Sequence, residues 1–168
     1  YVYGLRFERG RGSEHSPELG WGTKSRGYLK YMPTDTLSFS LTYQHQRENE
    51  WLNWYGDNLL ATFKRKQRTS VVEMEWFRNN IHELRIKAQM VAFTGREPQS
   101  FLGDLSGNLN PEDIYIPPIT ISELAFQVRY RYEIMPLSYL YLVYSKGGRI
   151  SLQDEEDDLF SLYRRPWN

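Results

Sequence analysis

The sequence predicts an all-β chain: an antiparallel up-and-down transmembrane β-barrel, of which about seven strands of a larger barrel are present. Three observations predict it. Ser122 to Tyr132 alternates, with Leu124, Phe126, Val128, Tyr130 and Tyr132 on one parity and Glu123, Ala125, Gln127, Arg129 and Arg131 on the other. That is the period of two of a strand with one apolar and one polar face. Its eleven residues match the roughly 9–11 that a tilted strand needs to cross a bilayer. Next, the connections between strand-like stretches alternate long and short, as in outer-membrane barrels with tight turns on one rim and extended loops on the other. Finally, the 13 Tyr, 5 Trp and 8 Phe gather near predicted strand ends, at Tyr28, Tyr31, Trp76, Phe93, Tyr130, Tyr132 and Tyr144, where interfacial girdles place amphipathic rings.

The elements follow in order. Tyr1, Tyr3, Leu5 and Phe7 alternate with Val2, Gly4, Arg6 and Glu8 as a first strand, and residues 10–26, rich in Gly, Ser and charge, read as a loop. Gly27 to Pro33 is a short second strand closed by the turn Pro33-Thr34-Asp35-Thr36. Leu37, Phe39, Leu41, Tyr43 and His45 mark a third strand, and Glu48 to Asp57 reads as a polar, aromatic loop. A fourth strand runs from about Asn58 to Phe77, with only Val72, Met74 and Trp76 suited to lipid, and turns at Asn79-Asn80. Leu84, Ile86, Ala88, Met90 and Ala92 define a fifth. Thr94 to about Thr120, with three Gly and four Pro, is again a long loop. Then come the Ser122–Tyr132 strand, a turn at Ile134-Met135-Pro136-Leu137 and a strand from Ser138 to Tyr144; Lys146 onward reads as an unpaired polar segment. A chain that starts in strand pattern without Met reads as part of a longer protein, with strands expected before Tyr1 and after Asn168.

Composition is compatible with this. The mean hydropathy of -0.66 is low, as a barrel's must be when alternate residues face a polar lumen. With 21 basic and 21 acidic residues the net charge is zero, which leaves no nucleic-acid footprint. The absence of cysteine excludes disulfides and thiolate chemistry. No cofactor signature is present.

The run Ile121 to Arg149 (I-S-E-L-A-F-Q-V-R-Y-R-Y-E-I-M-P-L-S-Y-L-Y-L-V-Y-S-K-G-G-R), with the strand from Lys66 and the Asn-Asn turn leading into Leu84 to Met90, resembles the C-terminal barrel domain of a bacterial surface-protein family. Members carry a family-nine-like carbohydrate-binding domain upstream. The similarity covers the chain from Glu50-Trp51 onward and is one of strand and turn style. It implies an outer-membrane barrel that finishes on one more strand, together with a link to glycans.

Candidate chemistry is sparse. Trp51, Trp54 and Tyr55, among Glu48, Glu50 and Asp57, mix rings and carboxylates as a glycan-binding or glycosidase site does, although packing of loop aromatics explains them too. Asp154 to Asp158 is an acidic run that could ligate calcium, yet it lacks calcium-loop spacing and reads as solvated. His15, His45 and His82 are far apart in sequence and read as structural. No nucleophile elbow, phosphate loop or zinc-protease motif occurs. Arg85, Lys87, Arg129 and Arg131 are expected to line the lumen, paired with Glu73, Glu75, Glu83 and Glu123. The expectation is a non-enzymatic outer-membrane anchor, scaffold or passage for a surface module. Its partners would be outer-membrane lipid, other outer-membrane or periplasmic subunits and, through the resemblance, glycan. Two alternatives stay open: a glycan-binding or glycan-hydrolysing protein working through the long loops, and a soluble barrel carrying a small apolar ligand.

Overall fold

The computed structural model describes residues 1–11, 21–79 and 81–152. Its strands are β1 (Val2–Arg11), β2 (Trp21–Thr34), β3 (Leu37–Gly56), β4 (Leu59–Arg78), β5 (His82–Gly103), β6 (Leu109–Glu112), β7 (Ile119–Met135) and β8 (Ser138–Leu152). One antiparallel sheet joins them in the order β1-β2-β3-β4-β5-β7-β8, and the short β6 pairs with the far end of β5. The chain is therefore all-β and a meander, as expected. The sheet is not closed: β1 and β8 form its edges.

Several predicted loops are strand. β2 begins at Trp21 rather than Gly27, and β3 runs through Glu48–Gly56 to a tight turn at Asp57-Asn58. β5 carries on through Thr94 to Gly103. Lys146 to Leu152 pairs with Phe126 to Thr120 instead of ending unpaired. The physical reason is visible at β3: a register shift between Glu48 and Trp51 adds residues that break the period of two, so the alternation fails where the strand does not.

Because residues paired across antiparallel strands project to one side, the register sorts the sheet into two faces. Tyr3, Leu29, Leu41, Val72, Ala88 and Phe126 share a row, and Phe39, Met74, Ile86, Val128 and Tyr144 share the next. The opposite face carries Lys30, Ser40, Glu73, Lys87 and Gln127 in one such row. Among the described residues no further strand packs over the apolar face, although Met90, Ala92 and Leu124 at its upper end are buried. Leu41 and Val72 stay 44 % and 50 % accessible although each lies on a strand flanked on both sides.

One rim carries the tight turns at Asp35-Thr36, at Asn79 and Ile81, and at Pro136-Leu137, Asn80 lying outside the described residues. The other rim has a tight turn as well, at Asp57-Asn58, beside the longer 104–118 connection, so the expected alternation of long and short connections fails between β3 and β4, where the predicted loop is strand. Backbone hydrogen bonds stitch these turns to adjacent strands. Phe77 N donates to Thr36 O at 2.8 Å, and Glu133 N donates to Ile81 O at 2.9 Å. Asn79 tolerates its φ of 52°, since asparagine visits the left-handed region readily. Leu137, at φ 66°, does not. Leu137→Gly is accordingly expected to raise the unfolding free energy by about 1 kcal/mol. The test is the urea midpoint, which should rise at unchanged slope; a midpoint that falls would show that the leucine side chain contributes more than its backbone costs.

Candidate functional site

The polar face is an ion-pair ladder across β3, β4, β5, β7 and β8. Lys87 Nζ reaches Glu73 Oε1 at 2.9 Å, and Ser40 Oγ donates to the other Glu73 oxygen at 3.3 Å. Arg85 bridges Glu75, at 3.7 Å, and Glu83. The largely buried Glu83 also takes Arg131 Nη2 at 2.9 Å. Of the expected lumen set, Lys87, Arg85 and Arg131 thus meet Glu73, Glu75 and Glu83. Glu123 pairs instead with Arg149, at 3.3 Å, a residue predicted to lie beyond the last strand. Arg129 sits over the Tyr141 ring at 5.0 Å, as Arg131 does over Tyr139. Half-exposed pairs such as Lys87–Glu73 contribute little singly. On this face they are joined through shared partners, Arg85 bridging Glu75 and Glu83 and Glu83 taking both Arg85 and Arg131.

Up this face the polar chain continues. Arg65 Nη2 donates to Gln67 Oε1 at 2.5 Å, Gln67 Nε2 donates to Thr69 Oγ1 at 3.3 Å, and Gln46 Nε2 donates to Glu48 Oε1 at 2.5 Å. Arg65 then lies over the rings of Trp51 and Phe93, at 5.3 and 5.4 Å. Here the ladder gives way to a small apolar core: Ala61, Phe63 and Ile116, with Trp51, Leu59 and Ile119 packed around them. Trp51 meets Phe93 edge-on at 5.2 Å and Phe63 at 5.9 Å, and Tyr55 lies 6.2 Å from Phe63. Gly95 makes room, since a Cβ there would stand 3.3 Å from the Phe63 ring. Ile116 arrives from the 113–118 segment, followed by the rigid Pro117-Pro118.

Trp51, Trp54 and Tyr55 are therefore not one site. Trp51 and Tyr55 pack on the ladder face around Phe63. Trp54, opposite Leu60, faces the other way, 66 % accessible, with its Nε1 donating to Asp57 O at 3.1 Å. A sugar-stacking platform needs an open ring face, and that of Trp51 is occupied by Arg65 and phenylalanines. Sequence reasoning missed Phe63, Gly95 and Ile116. The available signal was Gly95 itself, an isolated glycine in a strand, which marks close approach of a neighbour.

Between Glu48 and Trp51 the bulge opens a cleft of about 520 Å³, lined by Arg47, Lys64, Lys66 and Arg96 with Glu50 and Glu97 among others. Lys64 pairs with Glu97. Farther out, Asp104 caps the turn into β6, accepting from Ser106 N, Asn108 N and Asn108 Nδ2, each at 2.8 Å. The Asn108 side chain first, and the backbone amides after it, hold the Asp104 carboxyl below its ordinary range. No group of three or more His, Asp or Glu is placed to hold a metal ion among the described residues. Asp154–Asp158 and His15 lie outside them; His45 and His82 are on separate strands, the latter 2.6 Å from Tyr130 Oη through Nδ1.

No protein-family model, no curated protein and no solved structure matches the chain.

Proposed function

We propose that the chain is part of an outer-membrane β-barrel that anchors, scaffolds or passes a surface or exported module, with its apolar face toward lipid and the ion-pair ladder toward a polar lumen. The observation that carries this reading is the uncovered apolar band set back to back with paired charges. Soluble proteins rarely leave a contiguous apolar surface of this extent bare, and a soluble barrel would turn it inward.

The dimensions agree. On β7 the apolar stripe runs from Leu124, itself buried, to Tyr132, about 27 Å along a strand, or roughly 20 Å of height at barrel tilt, beside the ≈ 25 Å apolar belt of such proteins. Trp76, Tyr130 and Tyr132 mark its border at the tight-turn rim, and His82 stacks on Tyr132 at 5.1 Å, as amphipathic rings do at a headgroup boundary. Edges left open at β1 and β8 would be untenable in hydrocarbon, so further strands must complete the sheet in the membrane.

The test is to fractionate cells making the full-length protein with its own export signal and to run the outer-membrane fraction on a gel with and without boiling. The reading expects a detergent-dependent species whose migration shifts on heating. A protein recovered soluble without detergent would overturn it and place the apolar face around a ligand instead.

A further inference from the structure

The polar face carries its charge unevenly. From β3 to β8, up to the Glu48 row, it is balanced: six cations, from Arg65 to Arg149, share it with six carboxylates, from Glu48 to Glu133. On β1 and β2 the balance is lost. Arg6, Lys24, Arg26 and Lys30 project from this same side, since the register sets Lys24 opposite Gln46, Arg26 opposite Gln44 and Lys30 opposite Ser40. Glu8 is the one carboxylate on this side of β1 and β2 among the described residues. It lies between two cations, engaged by Arg6 and directly opposite Lys24. Arg26 stands opposite Arg6, and the carboxylate beyond Ser40 from Lys30 is Glu73, which Lys87 already bonds at 2.9 Å. No ion pair engages Lys24, Arg26 or Lys30 among the described residues. Lys24 and Arg26 are exposed. From Lys24 to Lys30 the cations form a track about 20 Å long on one side of β2.

We infer that this track makes the barrel a passage for small anions. The inference rests on the barrel reading above and deepens it: of anchor, scaffold and passage it selects passage, and of solutes it selects anions. Paired charges cancel one another a short distance from the wall. A surplus does not, and low-dielectric walls focus its field into the space they enclose. Pores lined by Lys and Arg select anions in this way. The arrangement along the strand matters as much as the sign. Conduction requires sites that attract an ion yet release it to the next, and cations strung out along β2 supply several weak stations where a single tight cluster would trap the ion. Gln44 and Gln46, opposite Arg26 and Lys24, add hydrogen-bond donors there without adding negative charge.

The experiment reconstitutes the full-length protein in planar bilayers and reads the chloride-to-potassium permeability ratio from the reversal potential in a gradient of potassium chloride. The wild type should prefer chloride at low ionic strength. Lys24→Gln with Arg26→Gln should lower the ratio about tenfold, the lower end of what focused surface charge does to local ion concentration. Lys87→Gln with Glu73→Gln removes one charge of each sign from the balanced side and should leave the ratio unchanged. The preference should fade at about 1 M salt, where the Debye length falls to about 3 Å. Each variant is first checked for a heat-shifted band, so that lost assembly is not read as lost selectivity. A ratio unaltered by the Lys24 and Arg26 changes, or a wild type without chloride preference, would overturn the inference and leave the barrel reading in place. So would a heat-shifted wild type that does not conduct, which would leave an anchor or scaffold. A wild type with neither a heat-shifted band nor conductance would overturn the barrel reading and the inference together.

Discussion

Val128→Arg is expected to prevent assembly into the membrane. Val128 stands at the middle of the Leu124–Tyr132 stripe, between Ile86 on β5 and Tyr144 on β8. An arginine at the midplane of a barrel's lipid face costs about 2–4 kcal/mol. Here it would also have no nearby carboxylate, since the carboxylates of β4, β5 and β7 in this region project from the other face. The comparison is Arg129→Ala one residue on, which removes a charge from the ladder face and a contact with Tyr141. That change should cost little, as an exposed cation–ring contact contributes about 0.5–1 kcal/mol. The measurement is the heat-shifted fraction in isolated membranes for both variants. If both assemble equally, the faces have been assigned the wrong way round or the band does not meet lipid.

Phe63→Ala is expected to destabilise the long-connection rim by about 3–5 kcal/mol. The ring is 1 % accessible; it closes over Gly95 and holds Trp51, Tyr55, Ala61 and Ile116 together. Truncation opens a cavity that the 113–118 segment cannot collapse into freely, because Pro117-Pro118 fix its direction. The loss should be local. Amide exchange at Ile116 and Ile119 should rise strongly, while the Leu84–Met90 segment of β5 keeps its protection. Uniform loss of protection across the sheet would mean that this small core supports the whole fold.

Legibility in the sequence followed the purity of the two faces. The Leu124–Tyr132 part of β7 and the Leu37–Tyr43 part of β3 could be read directly, because one parity is apolar or aromatic throughout and its neighbours, Ala125 apart, are polar. β4 was recovered at nearly its full length, from Leu59 to Arg78. The outer halves were lost for different reasons. In β3 the bulge at Glu48 shifts parity; in β5 the segment after Ala92 is mixed, with a second shift where Glu97 takes φ 52°. In β8 the pair Gly147-Gly148 reads as a turn, yet lies in the ladder opposite Ala125 and Leu124. The ion pairs were partly legible, since Glu73, Glu75 and Glu83 share a parity on adjoining strands with Lys87 and Arg85. The Glu123–Arg149 pair was hidden by the misreading of β8. Trp51 and Trp54 illustrate the converse: an i, i+3 spacing puts two residues on opposite sides of a strand, but a stretch taken for loop is not tested against that rule.

The chain order of the meander also bears on how the sheet is made. Neighbouring strands are joined in sequence, so β2–β3, β3–β4 and β7–β8 can each zip outward from a turn of a few residues, an event of microseconds. The junction of β5 with β7 differs, because Gly95 pairs with Ile119 only after the intervening stretch has been folded out of the way. β6 does this by doubling back on Ser100–Gly103, with the turn at 104–108 as its hinge. Loop-closure entropy must be met there before any pairing compensates for it. The slowest step of sheet growth is thus expected at that junction, and a one-residue slip in its alignment would hand every side chain of β7 and β8 to the opposite side.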